Sequence, residues 1–443
     1  MSAVNHPATL TFASPLRSTV AALRAGDVPL RDHVEEVCDR VERVEPDVLA
    51  LLPEPDRRGR LLAAAAALER RFPVAAGRPP LYGALVGVKD IFRVDGFETR
   101  AGSSLPPEPL AGREAACVSR LREMGALVLG KTVTAEFAFR EPGPTRNPHK
   151  IAHTPGGSSS GSAASVAAGC ADLALGTQTV GSVIRPAAYC GVTGFKPTLG
   201  RLPTAGIIYF SRTLDQVGLF TQDAAGMSLA TSALLEGWQP TTHAGQAGPM
   251  PVLGVPEGPY LAQTEPEGLR SFEGQLARLE EAGCQVRRVP ALDDVEEIAK
   301  RHMDLVSSEF AKAHDAWFRQ YGPLYRPHTA ELIERGRAIS LSDLEIARGS
   351  PSALRGRLHE SMDREGLDVW ASPPAPGPAP QGLGSTGSAA MNLPWTHAGL
   401  PAITLPAGRA ENGLPFGLQL TARFGADESL LGWAEALEPV LAD

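Results

Sequence analysis

Three stretches of this 443-residue chain place reactive or ligand-binding residue types at spacings that chemistry uses. The first, Gly125–Thr132 (GALVLGKT), fits the phosphate-loop pattern G-x-x-x-x-G-K-[ST] literally. A phosphate cradle needs that segment to be a loop that follows a strand and opens a helix. Here the four intervening residues are apolar and strand-like, so they bury side chains rather than offer amides to a phosphate. A helix, a buried strand and a turn fit the segment better, and a nucleotide-binding module stays as the rival from another class. The second, Gly157–Gly161 (GSSSG), matches G-x-S-x-G around Ser159. A nucleophile elbow of that kind sits on a sharp strand-to-helix turn, whereas the preceding His153-Thr154-Pro155-Gly156 does not make a strand. Downstream histidines such as His302 and His397 are available to complete such a triad. The third is a set in order. Lys89 ends an apolar run in Gly87-Val88-Lys89-Asp90. A Gly/Ser loop, Gly156–Gly161, precedes a small-residue helix. Ser182 stands 24 residues after Ser158, inside Gly176–Pro186 (GTQTVGSVIRP).

The ordered set V-K-D, P-G-G-S-S-S-G and G-T-Q-T-x-G-S-x-I-R-P resembles the amidase signature family. The likeness continues in Gly191–Thr198 (GVTGFKPT), Leu214–Gly218 (LDQVG), Ala398–Ala402 (AGLPA) and Leu414–Leu420 (LPFGLQL). It spans residues 15–235 and 385–440, while residues 250–385 match only in texture. Three motifs in order are a specific signal, unlike any one of them alone.

The resemblance implies a Ser–Ser–Lys triad: Lys89 as base, Ser158 as the bridging serine after a cis peptide bond, and Ser182 as nucleophile. A serine hydroxyl attacks poorly until a base takes its proton. A lysine serves as that base only when neutral, and burial disfavours its charged form. The apolar run before Lys89 fits such burial; the alternative for Lys89 is an ion pair with Asp90 or another carboxylate. Ser158 then relays a proton and returns it to the leaving amine. The backbone N–H groups of Thr179, Val180, Gly181 and Ser182 match the family's oxyanion hole. The implied reaction is hydrolysis of a small-molecule amide through an acyl-enzyme, with no metal or organic cofactor. A rival within the family is the amidase subunit of an amidotransferase complex; the lack of a long helical C-terminal extension favours a stand-alone hydrolase.

Two positions depart from the family pattern. Gln178 stands where Asp is frequent, and Val180 stands where a second glycine is usual. Val180 keeps its N–H, but a positive φ there strains a β-branched residue. Arg185 reads as a structural ion pair near the site. For substrate contacts the candidates are Gly157, Ser159, Phe137, Tyr209, Met391 and Trp395, with Glu136, Phe139 and Phe210 as further possibilities. The ten histidines show no ligand spacing.

The elements that must position these residues alternate between helix and strand. Apolar positions from Val20 to Val44 recur at helical spacing across residues 16–50, broken near Gly26 and Pro29. Arg57–Arg71 is a helix that ends before Pro73. Further helices are expected at Arg113–Met124, Ser162–Ala171 and Leu269–Ala282, through most of residues 297–365, and at Ser429–Leu441. Strands are expected at Leu85–Val88, Ala126–Leu129, Leu173–Leu175, Val252–Val255, Cys284–Val289, Ala402–Leu405 and Phe416–Leu420. Residues 140–162 read as a structured loop, as does the Pro-rich Ser372–Pro380. The alternation implies a single large α/β domain; its central mixed sheet flanked by helices is carried over from the family. Within it we expect an N-terminal helical region (1–75), a motif-bearing core (76–235), a variable insert or cap (236–385) and a C-terminal return to the core (386–443). The turn-rich stretch 236–252 marks the internal boundary.

Composition bounds the rest. Hydrophobic residues at 43% and charged residues at 21% allow a substantial core. The 46 glycines and 39 prolines show no period, so they indicate turns rather than a fibre. A net charge of −8 without a basic patch argues against nucleic acid as a partner. Five cysteines without a C-x-x-C pair fit a reducing compartment and give no zinc site. The N-terminus lacks a signal peptide pattern, and the apolar run Leu61–Leu68 is too short to span a bilayer. The expectation is a cytoplasmic protein that binds no membrane, with a homodimer as the open option for assembly.

Overall fold

The computed structural model describes residues 10–239 and 250–442. Ten strands form one mixed sheet: β1 (Leu85–Lys89), β2 (Leu127–Thr132), β3 (Leu173–Gln178), β4 (Thr193–Lys196), β5 (Gln216–Thr221), β6 (Val252–Glu257), β7 (Gln285–Pro290), β8 (Val369–Ser372), β9 (Ala402–Arg409) and β10 (Pro415–Ala422). Their order is β2-β1-β3-β5-β4-β9-β10-β8-β6-β7. The two flanks, β2-β1-β3 and β8-β6-β7, are parallel. The middle of the sheet is antiparallel. Parallel pairs need crossovers, and helices supply them, covering the faces so that strands such as β1, β2 and β3 are buried at every residue.

The helices follow from their spacing. In Leu30–Val48 the residues Val34, Val37, Val41, Val44 and Val48 recur every three or four positions and are all buried. The expected break near Gly26 is real: Gly26 caps the helix Leu16–Ala25 in the left-handed conformation. The helix Ser160–Ala167 is different, because every one of its residues is buried. It is built from Ser, Gly, Ala and Val, and it fits because it carries almost no side-chain bulk. A β-carbon on Gly161 would lie 2.2 Å from the Ala50 carbonyl oxygen and 2.4 Å from the Val133 nitrogen.

Residues 236–385 differ from the expected cap. They contribute β6, β7 and β8 to the same sheet, together with the helix Pro266–Glu281 between β6 and β7 and the helices between Val295 and Glu365 that precede β8. The expected boundary at 236–252 falls partly on residues 240–249, outside the described residues. The same holds for residues 1–9 of the N-terminal stretch. Strands β4, β5 and β8 escape sequence reading because they are buried on both faces, which removes the alternating pattern, and β4 and β8 are only four residues long. Gly194 and Gly218 also interrupt β4 and β5. Each leaves room for a neighbour, Ala187 and Val183 respectively. Among the described residues no helix is long and apolar enough to cross a membrane.

The N-terminal helices are tied to β1 by one buried carboxylate. Asp172 accepts from the Leu85 N–H at 2.8 Å and lies 3.1 Å from the His33 ring. Burial works against charging His33, but the Asp172 carboxylate outweighs it and raises the imidazole pKa above its usual 6.5. The pair therefore contributes fully below pH 6.5 and is lost as pH rises through the raised folded-state value. Asp172→Ala should lower the unfolding free energy by about 1–3 kcal/mol, most strongly on the acid side of that window, in denaturant titrations at several pH values. Part of the loss should persist at every pH, because the Leu85 N–H loses its acceptor. Equal stability of variant and wild type contradicts this reading.

Candidate active site

The C-terminal end of β1 delivers Lys89 into the interior, where it has no exposed surface. Its Nζ donates to Ser158 Oγ at 2.8 Å and to Thr177 Oγ1, near the end of β3, at 2.9 Å. Asp90, the alternative partner, is engaged elsewhere: it pairs with Lys131 Nζ at 2.8 Å. Among the described residues, therefore, no carboxylate touches the Lys89 amine. Burial lowers its pKa from 10.5 to about 7, and the charge of Asp215 pulls the other way. A sizeable fraction of Lys89 is then neutral near pH 7.

Asp215 is the residue that sets this balance from a distance. It is buried just before β5 and accepts hydrogen bonds from Thr179 Oγ1 and, at 2.8 Å, from the Phe210 N–H. Burial raises its carboxyl pKa to about 6, against these hydrogen bonds and the Lys89 charge. Above that value it carries the negative charge that keeps Lys89 from falling further.

Ser158 begins the turn into the small-residue helix, and a cis peptide joins it to Gly157. Its carbonyl accepts from the Ala135 N–H at 3.1 Å, and the Gly157 carbonyl accepts from Arg185 Nη2 at 2.6 Å. Ser182 sits where β3 turns into the helix Ile184–Cys190. Gln178 organises that turn: its Oε1 accepts from the Val183 and Ile184 N–H groups at 2.8 and 3.0 Å, and its Nε2 donates to Thr396 Oγ1. An amide side chain thus both accepts and donates here, which accounts for Gln at this position. Val180 does not adopt a positive φ, so the expected strain is absent. Among the described residues, the Val180, Gly181 and Ser182 N–H groups donate to no protein acceptor, and the Ser182 hydroxyl makes no hydrogen bond.

A cavity of about 620 Å³ opens at this turn, with Thr179, Val180, Gly181 and Ser182 on its wall. Lys89 and Ser158 are not on the wall, so of these three side chains only Ser182 meets incoming solutes. No hydrogen bond joins Ser158 to Ser182 among the described residues. Phe139, Phe210, Met303 and the segment 384–390 complete much of the rest.

The six expected substrate contacts are not on this wall. Phe137 is buried in a ring cluster with His314, Trp317 and Tyr325. Ser159 is buried and its hydroxyl bonds to the Thr177 backbone. Gly157 packs against Thr386. Tyr209 hydrogen-bonds Thr204 and lies under Arg212. Trp395 donates to the Tyr260 hydroxyl, which donates to the Met391 carbonyl, and both Met391 and Trp395 are fully buried. Glu136 is also buried, accepting from the Arg326 N–H. Arg185 has no carboxylate partner; it donates to the carbonyls of Gly157 and Gly387 and to Thr386 Oγ1, so the expected ion pair is a set of neutral hydrogen bonds. Sequence reading misses Arg140, Met303 and residues 384–390, which lie outside the quoted motifs and are brought together only by tertiary folding. Thr177 and Asp215 lie within the motifs, but nothing in the sequence places them beside Lys89.

The rival patterns do not assemble. Gly130, Lys131 and Thr132 lie inside strand β2, and Lys131 is spent on Asp90. His302 and His397 face each other, Nδ1 to Nδ1 at 3.1 Å, with His397 also bonded to Ser350, so neither serves Ser159. Among the described residues no group of three or more His, Cys, Asp or Glu could hold a metal ion.

Comparison with known proteins adds an independent line. A family model described as Amidase matches residues 32–431. The chain is 30% identical over 473 residues to one subunit of the Glutamyl-tRNA(Gln) amidotransferase from Synechococcus sp. (strain RCC307), with 96% of each chain covered. Among solved structures it is similar to one described as an amidase, with a TM-score of 0.87 and 31% identity over 97% of this chain and 100% of that one. It is also similar to the native peptide amidase from Stenotrophomonas maltophilia, with a TM-score of 0.82 and 27% identity over 97% of both chains.

Gly181 has no room for a side chain: a β-carbon would lie 2.4 Å from Asn392 Oδ1 and 2.9 Å from Ala389 Cβ. Asn392 cannot yield easily, because its Nδ2 is held by Pro374 and Gln419 at 2.9 Å each. Gly181→Ala should therefore displace the free amides and slow modification of Ser182 by a fluorophosphonate about 10²–10³-fold, with the thermal unfolding midpoint little changed. Modification at the wild-type rate contradicts a role for these amides.

Proposed function

Because the chain belongs to the amidase (amidase signature) family, we propose that it hydrolyses a small-molecule amide through an acyl-enzyme on Ser182. The observation that carries the proposal is the fully buried Lys89 amine, 2.8 Å from Ser158 Oγ, with its pKa drawn down to about 7. A neutral amine at that position accepts the Ser158 proton while an N–H of the same group stays on Thr177 Oγ1. Ser158 in turn takes the proton from Ser182 as the latter attacks the amide carbonyl. The carbonyl oxygen becomes an oxyanion, and the unengaged N–H groups of Val180, Gly181 and Ser182, with that of Thr179, stand ready to receive it. Collapse of the tetrahedral intermediate needs a proton on the departing nitrogen, and Ser158 supplies it from Lys89. Water then attacks the acyl group by the same relay in reverse and frees the carboxylate.

A second reading has one observation in its favour. A relative 30% identical to this chain, with 96% of each chain covered, is described as a subunit of a Glutamyl-tRNA(Gln) amidotransferase. Ammonia release from simple amides by the purified single chain decides for the stand-alone enzyme; release only on adding a partner protein decides for the complex.

Fluorophosphonate labelling with peptide mass mapping should place the adduct on Ser182, slowed about 10²–10⁴-fold in Lys89→Ala. An adduct on Ser159 rules the relay out.

A further inference from the structure

Resting on the amidase reading above, we propose that the cavity takes amides whose acyl part ends in a carboxylate, and that Arg140 is the residue that selects them. Among the described residues the wall carries Arg140, Arg185 and His328, and no Asp or Glu. Among the described residues Arg140 makes no ion pair or hydrogen bond; its guanidinium only rests over the Phe139 ring, 5.4 Å from the centroid. The carboxylate next to it in sequence, Glu141, is committed to Arg326 at 3.0 Å and to the His328 N–H at 3.0 Å. Arg185, 5% exposed, donates only to neutral oxygens, and its Nε has no partner. Burial and the nearby Arg140 charge both press its pKa down, to about 10.

Two guanidiniums thus share one cavity wall without a counter-ion from the protein. The Arg140 charge disfavours the charged form of Arg185, and an anion bound near both relieves that repulsion. A guanidinium also presents a planar fork that fits a carboxylate with two hydrogen bonds. Apart from the two arginines and His328, the cavity wall is largely apolar or hydroxyl-bearing, with Phe139, Phe210, Met303 and Leu393. The matching substrate is a monoamide of a dicarboxylic acid: the amide at Ser182, a short hydrocarbon chain between the apolar side chains, and the carboxylate at Arg140. The wall offers no acid to an ammonium group, so glutamine should be a poorer substrate than glutaramate, which is the same molecule without its α-amino group.

The test uses the full chain and measures ammonia release from succinamate, glutaramate and adipamate, from neutral aliphatic amides of the same lengths, and from glutamine. The expected result is a kcat/KM at least about tenfold higher for one of the monoamides than for its neutral counterpart and for glutamine. Arg140→Gln should remove most of that preference, chiefly through KM, and Arg140→Lys should keep part of it. A neutral amide or glutamine turned over as well as every monoamide overturns the proposal. So does an Arg140→Gln loss that is proportionate for charged and neutral substrates. Fluorophosphonate labelling of wild-type Ser182 separates the two levels: a labelled Ser182 without hydrolysis of any monoamide, or without preference for one, overturns the substrate class alone. No labelling overturns the underlying amidase reading and the substrate class with it.

Discussion

A lysine amine with no exposed surface is the constraint on which the rest of the structure depends. Removing an ammonium from water costs several kcal/mol unless a counter-charge compensates. Among the described residues no carboxylate touches Lys89; two hydroxyls do. The amine sheds its proton readily in consequence, and the buried Asp215 limits how far it goes without forming a direct ion pair. A direct ion pair would hold the proton on nitrogen and abolish the base. Lys131 shows the contrast within the same strand pair: it touches Asp90 at 2.8 Å, and so reads as structural.

Burying that amine requires the surrounding backbone to come unusually close, and small residues make it possible. The helix Ser160–Ala167 enters the core with serine, glycine and alanine on every side but one. Its serines satisfy their own hydroxyls within it and against neighbouring strands: Ser162 bonds the Leu175 carbonyl and Thr132 at 2.8 Å. Gly176 in β3 leaves space for Ser159, whose Oγ would be 2.7 Å from an added β-carbon. Glycine abundance here serves close packing around one polar group as much as it serves turns.

How much of this was legible in the sequence differs by level. Most helices and the longer strands were, because periodicity and glycine or proline breaks mark them. The helix Arg57–Arg71 matches to the residue, whereas β4, β5 and β8 were missed for want of alternation. The three polar residues Lys89, Ser158 and Ser182 stood out through ordered motifs. The motif around Lys196 did too, yet its meaning is structural: the buried amine bonds the Leu400 carbonyl and the Gln216 side chain, joining β4 and β5 to the chain before β9. The cavity was legible only in part: the turn Thr179–Ser182, Phe139 and Phe210 were named and line it, but the rest was not. Its wall draws on Arg140, the helix Val295–Tyr321 and residues 384–390, segments far apart in sequence that share no pattern. Aromatic residues chosen by proximity in sequence, Phe137 and Trp395 among them, proved to be core, because large rings are most often placed by packing.

The proposed relay stands or falls on the ionisation of Lys89. The most direct measurement is the rate at which a fluorophosphonate phosphonylates wild-type Ser182, with loss of fluoride, as a function of pH. A base that works when neutral predicts a fast plateau on the alkaline side and a single acid limb centred near pH 7. The rate should fall as pH drops through that value and Lys89 takes up its proton. A limb near the ordinary lysine value of 10.5, or a rate that is flat across the neutral range, contradicts a neutral Lys89 as the base.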